Sequence, residues 1–380
     1  MSLYDKASLI QIPSGYKASK LYSVIPNSGA GDFTHTRSGV ATRVNPQGLI
    51  EDVSANVPRL DYPFIDGVVQ DCPHLLLEPQ RTNSLLYSED FTQSVWSKQG
   101  SSSVLGNTTI APDGSLTADT LSGATGTSVS GTVLRINVGG TVDSTLSIYV
   151  KSLGSTNFTI YMRNGSSGQV QSQSITPTDN WQRVTLTHDP DNGQVYFGNT
   201  NGDVAIWGAQ LEEGDYPTSY IPTAASSVTR LKDECFNGGD SDLFNITEGT
   251  FFIDVNPFVP NANTNIGISN GTDSQKIVFI FQSNGTQVRT YSSGGVSEYD
   301  SLTFNQRNKI AVSFKTNEYK IFINGTKVGT DTSASVPTGM DRLNFSNRTN
   351  SSSYFEGEVY QAMIFNEALS DSELQTLTTL

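Results

Sequence analysis

Carboxylate pairs are the first place to look for chemistry in this sequence. A glycosidase needs two facing carboxyl groups ~5–9.5 Å apart. An E-x-D-x-x-E run would place them on one strand, but Glu298-Tyr-Asp300 is followed by Ser-Leu-Thr303. Glu356 and Glu358 share one face of a predicted strand, and Glu212-Glu213 follow another. We expect these groups to be solvated carboxylates and predict that the chain is not an enzyme.

Metal ligation has equally little support from residue spacing. The three histidines, His35, His74 and His188, match no H-x-x-x-H or H-E-x-x-H pattern. The sequence also lacks a G-x-S-x-G elbow, a Gly-rich phosphate loop and a C-x-x-C pair. Calcium is the one open alternative, because carboxylates cluster in one loop-rich stretch at Asp233, Glu234, Asp240 and Asp242. Since no EF-hand spacing is present, we expect no cofactor and interpret this stretch as a solvated acidic linker.

Aromatic and amide side chains are the candidates for sugar binding. Trp181 and Trp207 lie in alternating strand-like runs and are expected in the core, while Trp96 is undecided. Tyr291 and Tyr299 flank the Gly-rich segment 292–297, and loop aromatics are often exposed. We therefore predict a glycan site from these two tyrosines together with three polar residues, with ordinary surface as the alternative: Arg289, Arg342 and Asn347.

Composition limits the partners. The chain has 380 residues and a formal net charge of -14, which disfavours nucleic acid and anionic membrane surfaces. The N-terminal residues show no signal-peptide pattern, so we expect synthesis in a cytosol and no membrane insertion. Two cysteines, Cys72 and Cys235, are too few for a disulfide scaffold, and whether they pair is left open.

The elements that must position these groups are predicted to be strands. Only 16% of residues are charged, and short alternating runs are separated by Asn-Gly and Pro-Asp-Asn-Gly turn signals. We predict an all-β chain with two tandem β-sandwich (jelly-roll) domains, residues 88–228 and 229–380, behind an irregular Pro- and Gly-containing segment, residues 1–87. One short helix closes the chain, with Ser370-Asp-Ser-Glu373 as its capping box. Residues 1–87 are too poor in apolar residues for a large core and should pack on a partner or the next domain.

Two segments also resemble known domain families. Residues 229–380 resemble laminin-G-like, concanavalin A-type sandwiches through 308–314, the hairpin 319–329 and 355–370. Residues 88–228 look like a carbohydrate-binding-module jelly roll through Tyr87-Ser-Glu-Asp-Phe91, Asn180-Trp-Gln-Arg-Val184 and 207–214. These resemblances imply lectin-like domains that often bind glycans and, in laminin-G-like domains, calcium.

The N-terminal part is similar to tailed-phage virion proteins. The similarity rests on 7–16, 41–51, Pro58-Arg-Leu-Asp61 and Leu75-Leu-Leu-Glu-Pro-Gln-Arg-Thr-Asn83. It implies a bacteriophage structural protein, a head or tail fibre or spike, attached to other virion proteins through residues 1–87 and exposed on the particle.

Our hypothesis is a virion adhesin that binds a host-surface glycan, with a homotrimer as the expected oligomer. Two alternatives stay open: a purely structural capsid or collar decoration protein without ligand, and a polysaccharide depolymerase.

Overall fold

The structure is a computed structural model of the chain. It describes residues 2–65, 68–127, 131–140, 142–245, 247–258, 263–282, 288–292, 295–299, 302–333, 335–346 and 353–380. For 64–65, 288–292 and 295–299 the description covers the backbone alone. The fold is all-β with one short C-terminal α-helix, which confirms the predicted fold class.

The middle unit is a sandwich of two five-stranded antiparallel sheets. Its core contains Trp96 and Phe197, and strands alternate core-facing and outward residues, as in Leu134–Asn137. One sheet has the spatial order Ser97–Lys98, Leu134–Asn137, Gln194–Gly198, Phe158–Arg163, Val170–Ile175. The other has the order Ser103–Thr109, Ala118–Ser122, Asp203–Glu213, Ser144–Leu153, Gln182–His188.

The C-terminal unit is a second sandwich, of an eight-stranded and a five-stranded sheet. The larger sheet contains Thr326–Asp331, Glu318–Ile323, Asn308–Lys315, Glu248–Pro257 and Gly357–Phe365 in this order. The smaller has the order Gly295–Tyr299, Val288–Ser292, Lys276–Phe281, Thr264–Ser269, Arg342–Asn344. The helix Asp371–Thr378 begins at the predicted capping box, in which Ser370 and Glu373 bond each other's backbone.

The N-terminal segment completes the larger C-terminal sheet. Ala7–Gln11 and His74–Leu77 both pair with Gly357–Phe365, and Leu60–Asp61 extends the sheet beyond His74–Leu77. Its other elements are the 3-10 turn Leu3–Lys6 and short strands at Tyr16–Lys17, Lys20–Leu21, Phe33–Thr36, Ala41–Val44, Ile50–Val53, Phe64–Ile65, Val68–Val69 and Arg81–Asn83. Phe33–Thr36 pairs with Glu234–Phe236, and Arg81–Asn83 with Val228–Arg230. The 3-10 turn Ser241–Leu243 follows.

Apolar burial explains why this segment has no separate core. Leu9, Phe33 and Leu75 are fully buried in the core of the C-terminal sandwich. Ile50 packs with Trp207 and Tyr220 of the middle unit. The expectation that residues 1–87 pack against a neighbouring domain is confirmed, and the segment ties the two sandwiches together.

Turn chemistry was predicted correctly at one Asn-Gly pair and wrongly at another. Asn324 and Gly325 have φ of 48° and 79° and join Glu318–Ile323 to Thr326–Asp331 as a two-residue hairpin turn. Asn164 instead opens a longer turn, in which its N–H donates to the Gln169 carbonyl at 2.8 Å. Neither Asn164 nor Gly165 has a positive φ, so the type I′ prediction fails there.

Candidate functional site

A groove lies on the middle sandwich, where it meets the N-terminal segment. Its volume is about 420 Å³, within the ~300–1,000 Å³ range of small-molecule sites. Two other hollows, of about 110 and 180 Å³, are smaller. The groove is lined mainly by polar residues and backbone: Gln80, Arg81, Thr82, Ser84, Gly139, Gly140, Ser144, Leu211 and Glu213.

Three strands position the lining. Ser144 and Glu213 are register partners at the end of the sheet, where Ser144–Leu153 pairs with Asp203–Glu213. Arg81 and Thr82 belong to the short strand Arg81–Asn83, which is held to the sheet because Ser84 donates from both its N–H and its Oγ to the Leu211 carbonyl. The lining of the groove is therefore held in place by hydrogen-bonded strands.

Arg81 is fixed against two neighbours. Its Cζ lies 5.4 Å from the centre of the Tyr216 ring. A Cβ at position 214 would lie 2.7 Å from Arg81 Nη2, and Gly214 has a φ of +124°, so glycine is required for this approach. The Tyr216 hydroxyl donates to Glu356 Oε2 at 3.1 Å. Burial raises the pKa of Tyr216 and also that of Glu356.

A buried ionic cluster lies behind the groove. Asp233 accepts from Arg37 Nη1 at 2.9 Å and from Arg59 Nη2, while Glu78 accepts from Arg59 Nη1 at 2.7 Å. Arg230 Nη1 lies 3.0 Å from Glu78 Oε2. Burial opposes ionisation of Glu78, but the charges of Arg230 and Arg59 lower its pKa to about 2.

This cluster corrects the interpretation of the acidic stretch. Asp233 is 2% exposed and ion-paired, so it is not part of a solvated linker. Glu234 pairs with Lys232, and Asp240 caps the turn Ser241–Leu243. Among the described residues no group of three or more His, Cys, Asp or Glu side chains is arranged to hold a metal ion.

The carboxylates predicted to be solvated are engaged in the protein. The strand Asp203–Glu213 continues through Glu212, which is 1% exposed and accepts from Gln210 Nε2 and from the Thr218 N–H and hydroxyl. Glu356 accepts from Tyr216, and Glu358 accepts from Tyr360 at 2.6 Å and Asn256 at 3.1 Å. The expectation of free, solvated carboxylates is therefore wrong for these three.

A second polar cluster occupies the 180 Å³ cleft between the two sandwiches. His74 is 1% exposed, and its Nε2 lies 3.4 Å from Asp61 Oδ2 and 3.6 Å from Glu358 Oε1. Burial lowers the pKa of His74, but the contact with Asp61 and the charge of Glu358 outweigh it, and the pKa is raised. The imidazole lies against both carboxylates, and all three residues belong to neighbouring strands of the larger C-terminal sheet, so this cluster joins the N-terminal segment to the C-terminal sandwich.

The predicted glycan-binding residues are dispersed. Tyr291 lies in Val288–Ser292 opposite Val296, and Tyr299 lies in Gly295–Tyr299 opposite Val288, so the two positions belong to opposite faces of the sheet. Arg289 shares the first of these strands, and Arg342 makes a bidentate pair with Asp341. Asn347 lies outside the described residues. Glycan binding by this set stays a prediction.

The exposure of the tryptophan and cysteine side chains shows which of them lie in the core. Trp96 and Trp207 are 0% and 1% exposed, and Trp181 is half-buried with its Nε1 donating to the Ile110 carbonyl. The core expectation is confirmed for Trp207. Cys72 is exposed and Cys235 buried, and both are free thiols.

Sequence reasoning did not find the groove. Arg81 and Glu213 are over a hundred positions apart, and both were read as parts of larger motif segments. Their proximity depends on the hydrogen bonds from Ser84 to the Leu211 carbonyl, which no local pattern predicts.

One family model matches part of the chain, within the C-terminal sandwich. Residues 240–375 match the concanavalin A-like lectin/glucanases superfamily. No curated protein sequence matches the chain.

Solved structures add distant likenesses. The sialidase module CBM40 of Ruminococcus gnavus bound to α2,3-sialyllactose is 19% identical, with 36% of this chain and 84% of that chain covered and a TM-score of 0.31. The NanB sialidase of Streptococcus pneumoniae is also 19% identical, with 37% and 25% covered and a TM-score of 0.33. The leech intramolecular trans-sialidase is 15% identical, with 36% and 24% covered and a TM-score of 0.30. The chain thus spans about a quarter of these two sialidases.

Proposed function

We propose that this chain is a glycan-binding virion protein, a head or tail fibre or spike that displays two lectin-like sandwiches. The observation that carries the glycan-binding part is the 420 Å³ polar groove at Arg81. Hydroxyl, amide and guanidinium groups on a rigid framework suit the many hydroxyls of a sugar. The superfamily match of residues 240–375 supports a lectin-like chain.

The virion part of the proposal is supported by the N-terminal motifs. They lie in the segment that completes the larger sheet and contributes Arg37, Arg59 and Glu78 to the buried cluster. We therefore place the virion contact on the outer surface of residues 1–87, with the segment built into the body of the protein. A homotrimer on a particle would convert weak single-site binding into avidity ~10²–10⁴ times higher.

Glycan-array binding by the purified full chain tests the proposal. Sialyllactose and lactose belong among the probes, since the Ruminococcus module was solved with the former. Parallel arms with calcium and with a chelator decide whether calcium contributes. We expect saturable binding to at least one glycan.

The same samples decide between the alternatives. Binding to neither glycans nor host cells would leave a purely structural capsid or collar protein. Release of reducing ends from capsular polysaccharide would establish a depolymerase and overturn the expectation of no enzymatic activity. Sedimentation analysis gives the oligomeric state, for which we expect a trimer.

A further inference from the structure

Arg81 lines the groove together with Glu213 and makes no salt bridge among the described residues, although its charge acts on the nearby Glu356. Its Nη1 donates to the neighbouring Gln80 carbonyl at 3.3 Å in an exposed contact, while its Nε and Nη2 are buried and have no acceptor among the described residues. The buried arginines of the chain behave differently, since Arg37, Arg59 and Arg230 all face Asp233 or Glu78. A guanidinium favours planar, bidentate acceptors such as carboxylates.

A second cation stands next to the groove. Gln80 lines both the groove and the neighbouring 110 Å³ hollow. In that hollow Lys232 Nζ lies 3.9 Å from the centre of the Tyr354 ring and 2.6 Å from Glu234 Oε1. Lys232 follows two positions after Arg230, the register partner of Arg81.

The groove and the hollow share Gln80 and thus form one continuous polar surface, which we call the track. Arg81 lines the groove end of the track, and Lys232 lines the hollow end. The track carries hydroxyls from Thr82, Ser84 and Ser144 at one end and Asn263 and Thr264 at the other.

Four carboxylates also line the track: Glu213, Glu78, Asp233 and Glu356. Glu78 and Asp233 are ion-paired with Arg59, and Glu356 accepts from Tyr216. Arg81 and Lys232, beside the hydroxyl and amide groups, match a chain of sugars that carries anionic groups.

We infer that the ligand of the groove is an acidic oligosaccharide, whose carboxylate binds Arg81 and whose chain continues over Gln80 toward Lys232. This inference rests on the proposed glycan binding and adds the chemical class of the ligand. The chain carries a net charge of -14, so long-range attraction of an anion is not available. Recognition must come from these local cations, within the ~8 Å Debye length of physiological salt.

The test uses an immobilised panel of uronic-acid and sialic-acid oligosaccharides, each beside its carboxyl-reduced counterpart. The full chain should bind at least one acidic member and bind the reduced counterpart at least about 10-fold more weakly. Arg81→Gln should lose the same factor for the acidic glycan. Arg135→Gln is the matched control, because Arg135 lies on the other sheet, outside the groove, and should bind as the unchanged chain does.

Length dependence tests the second part of the track. Lys232→Gln should weaken binding of an acidic tetrasaccharide several-fold and leave an acidic disaccharide unchanged. Equal loss for both lengths, or for neither, would overturn the extension toward Lys232.

The outcomes separate the two proposals. Equal affinity for acidic and carboxyl-reduced glycans, or binding that Arg81→Gln leaves unchanged, overturns the acidic ligand while glycan binding stands. Absence of binding to every glycan, neutral ones included, overturns both. If Arg81→Gln fails to fold, the comparison of acidic and reduced glycans on the unchanged chain still decides.

Discussion

At the residue scale, Asp233 is the centre of the ionic cluster that joins the N-terminal segment to the C-terminal sandwich. It is in contact with Arg37 and Arg59, and all three side chains are fully buried. Removing one partner from a buried ion pair leaves an uncompensated charge, which costs more than the pair itself contributes.

We therefore expect Asp233→Asn to lower the free energy of unfolding by about 3–5 kcal/mol. Urea denaturation of the full chain measures it. The matched control is Asp242→Asn, a change of the same kind at an exposed position of the same acidic stretch, which should cost less than about 0.5 kcal/mol. Equal stability of the two variants would contradict this account of the cluster.

His74 gives the contact between the N-terminal segment and the C-terminal sandwich a pH dependence. Its pKa is raised in the folded chain above the ordinary 6.5, so its charged form stabilises the fold below that pH. This contribution is lost as pH rises through the raised pKa. The groups that face it are Asp61, Glu358 and, farther off, Glu78.

The difference in unfolding free energy between the unchanged chain and His74→Gln should accordingly shrink between about pH 6 and pH 9. Denaturation series at several pH values measure it. A difference that grows with pH would show that His74 is stabilising as a neutral side chain.

At the element scale, the first strand shows how the N-terminal segment stabilises the C-terminal sandwich. Ala7–Gln11 pairs with Gly357–Phe365 and buries Leu9 and Ile10, which are 0% and 2% exposed. The preceding 3-10 turn Leu3–Lys6 buries no residue. A fragment that starts at residue 88 would lack three strands of the larger sheet, so binding assays require the full chain.

Deletion of residues 1–11 should destabilise the chain by more than about 3 kcal/mol, because it removes two buried aliphatic side chains and an edge strand. Deletion of residues 1–6 is the control and should cost far less. Thermal unfolding followed by circular dichroism compares them. Indistinguishable unfolding of both deletions would mean that the strand is dispensable.

Element prediction from the sequence succeeded where local signals are strong. The hairpin within 319–329 follows from its Asn-Gly turn chemistry, and the C-terminal helix begins at its predicted capping box. Ser103–Thr109 and Val170–Ile175 were missed, because both are largely polar and exposed edge strands with little apolar alternation. The described part of the chain contains no helix that is long and apolar enough to cross a membrane.

At the scale of the whole molecule, the organisation of residues 1–87 lay beyond local reasoning. Several of its strands pair with partners far along the chain, as Phe33–Thr36 does with Glu234–Phe236. The groove has the same origin, because Arg81 and Glu213 are brought together by the long-range hydrogen bonds from Ser84 to Leu211. The sequence predicted two sandwiches correctly but not the segment that connects them, nor the site beside it.

A variant in which the groove is filled tests directly whether the groove is the glycan-binding site. Gly139 lines the groove, has no positive φ, and a Cβ added there meets no atom closer than 4.0 Å. Gly139→Trp should therefore fold and place an indole in the groove. Gly39→Trp is the matched control, since a Cβ at Gly39 meets nothing within 4 Å and Gly39 lies outside the groove.

The measurement is the affinity of both variants for the glycan that the unchanged chain binds most tightly. We expect Gly139→Trp to lose at least 10-fold in affinity, about 1.4 kcal/mol, and Gly39→Trp to keep the affinity of the unchanged chain. Full binding by a folded Gly139→Trp chain would contradict the assignment of the groove as the glycan site.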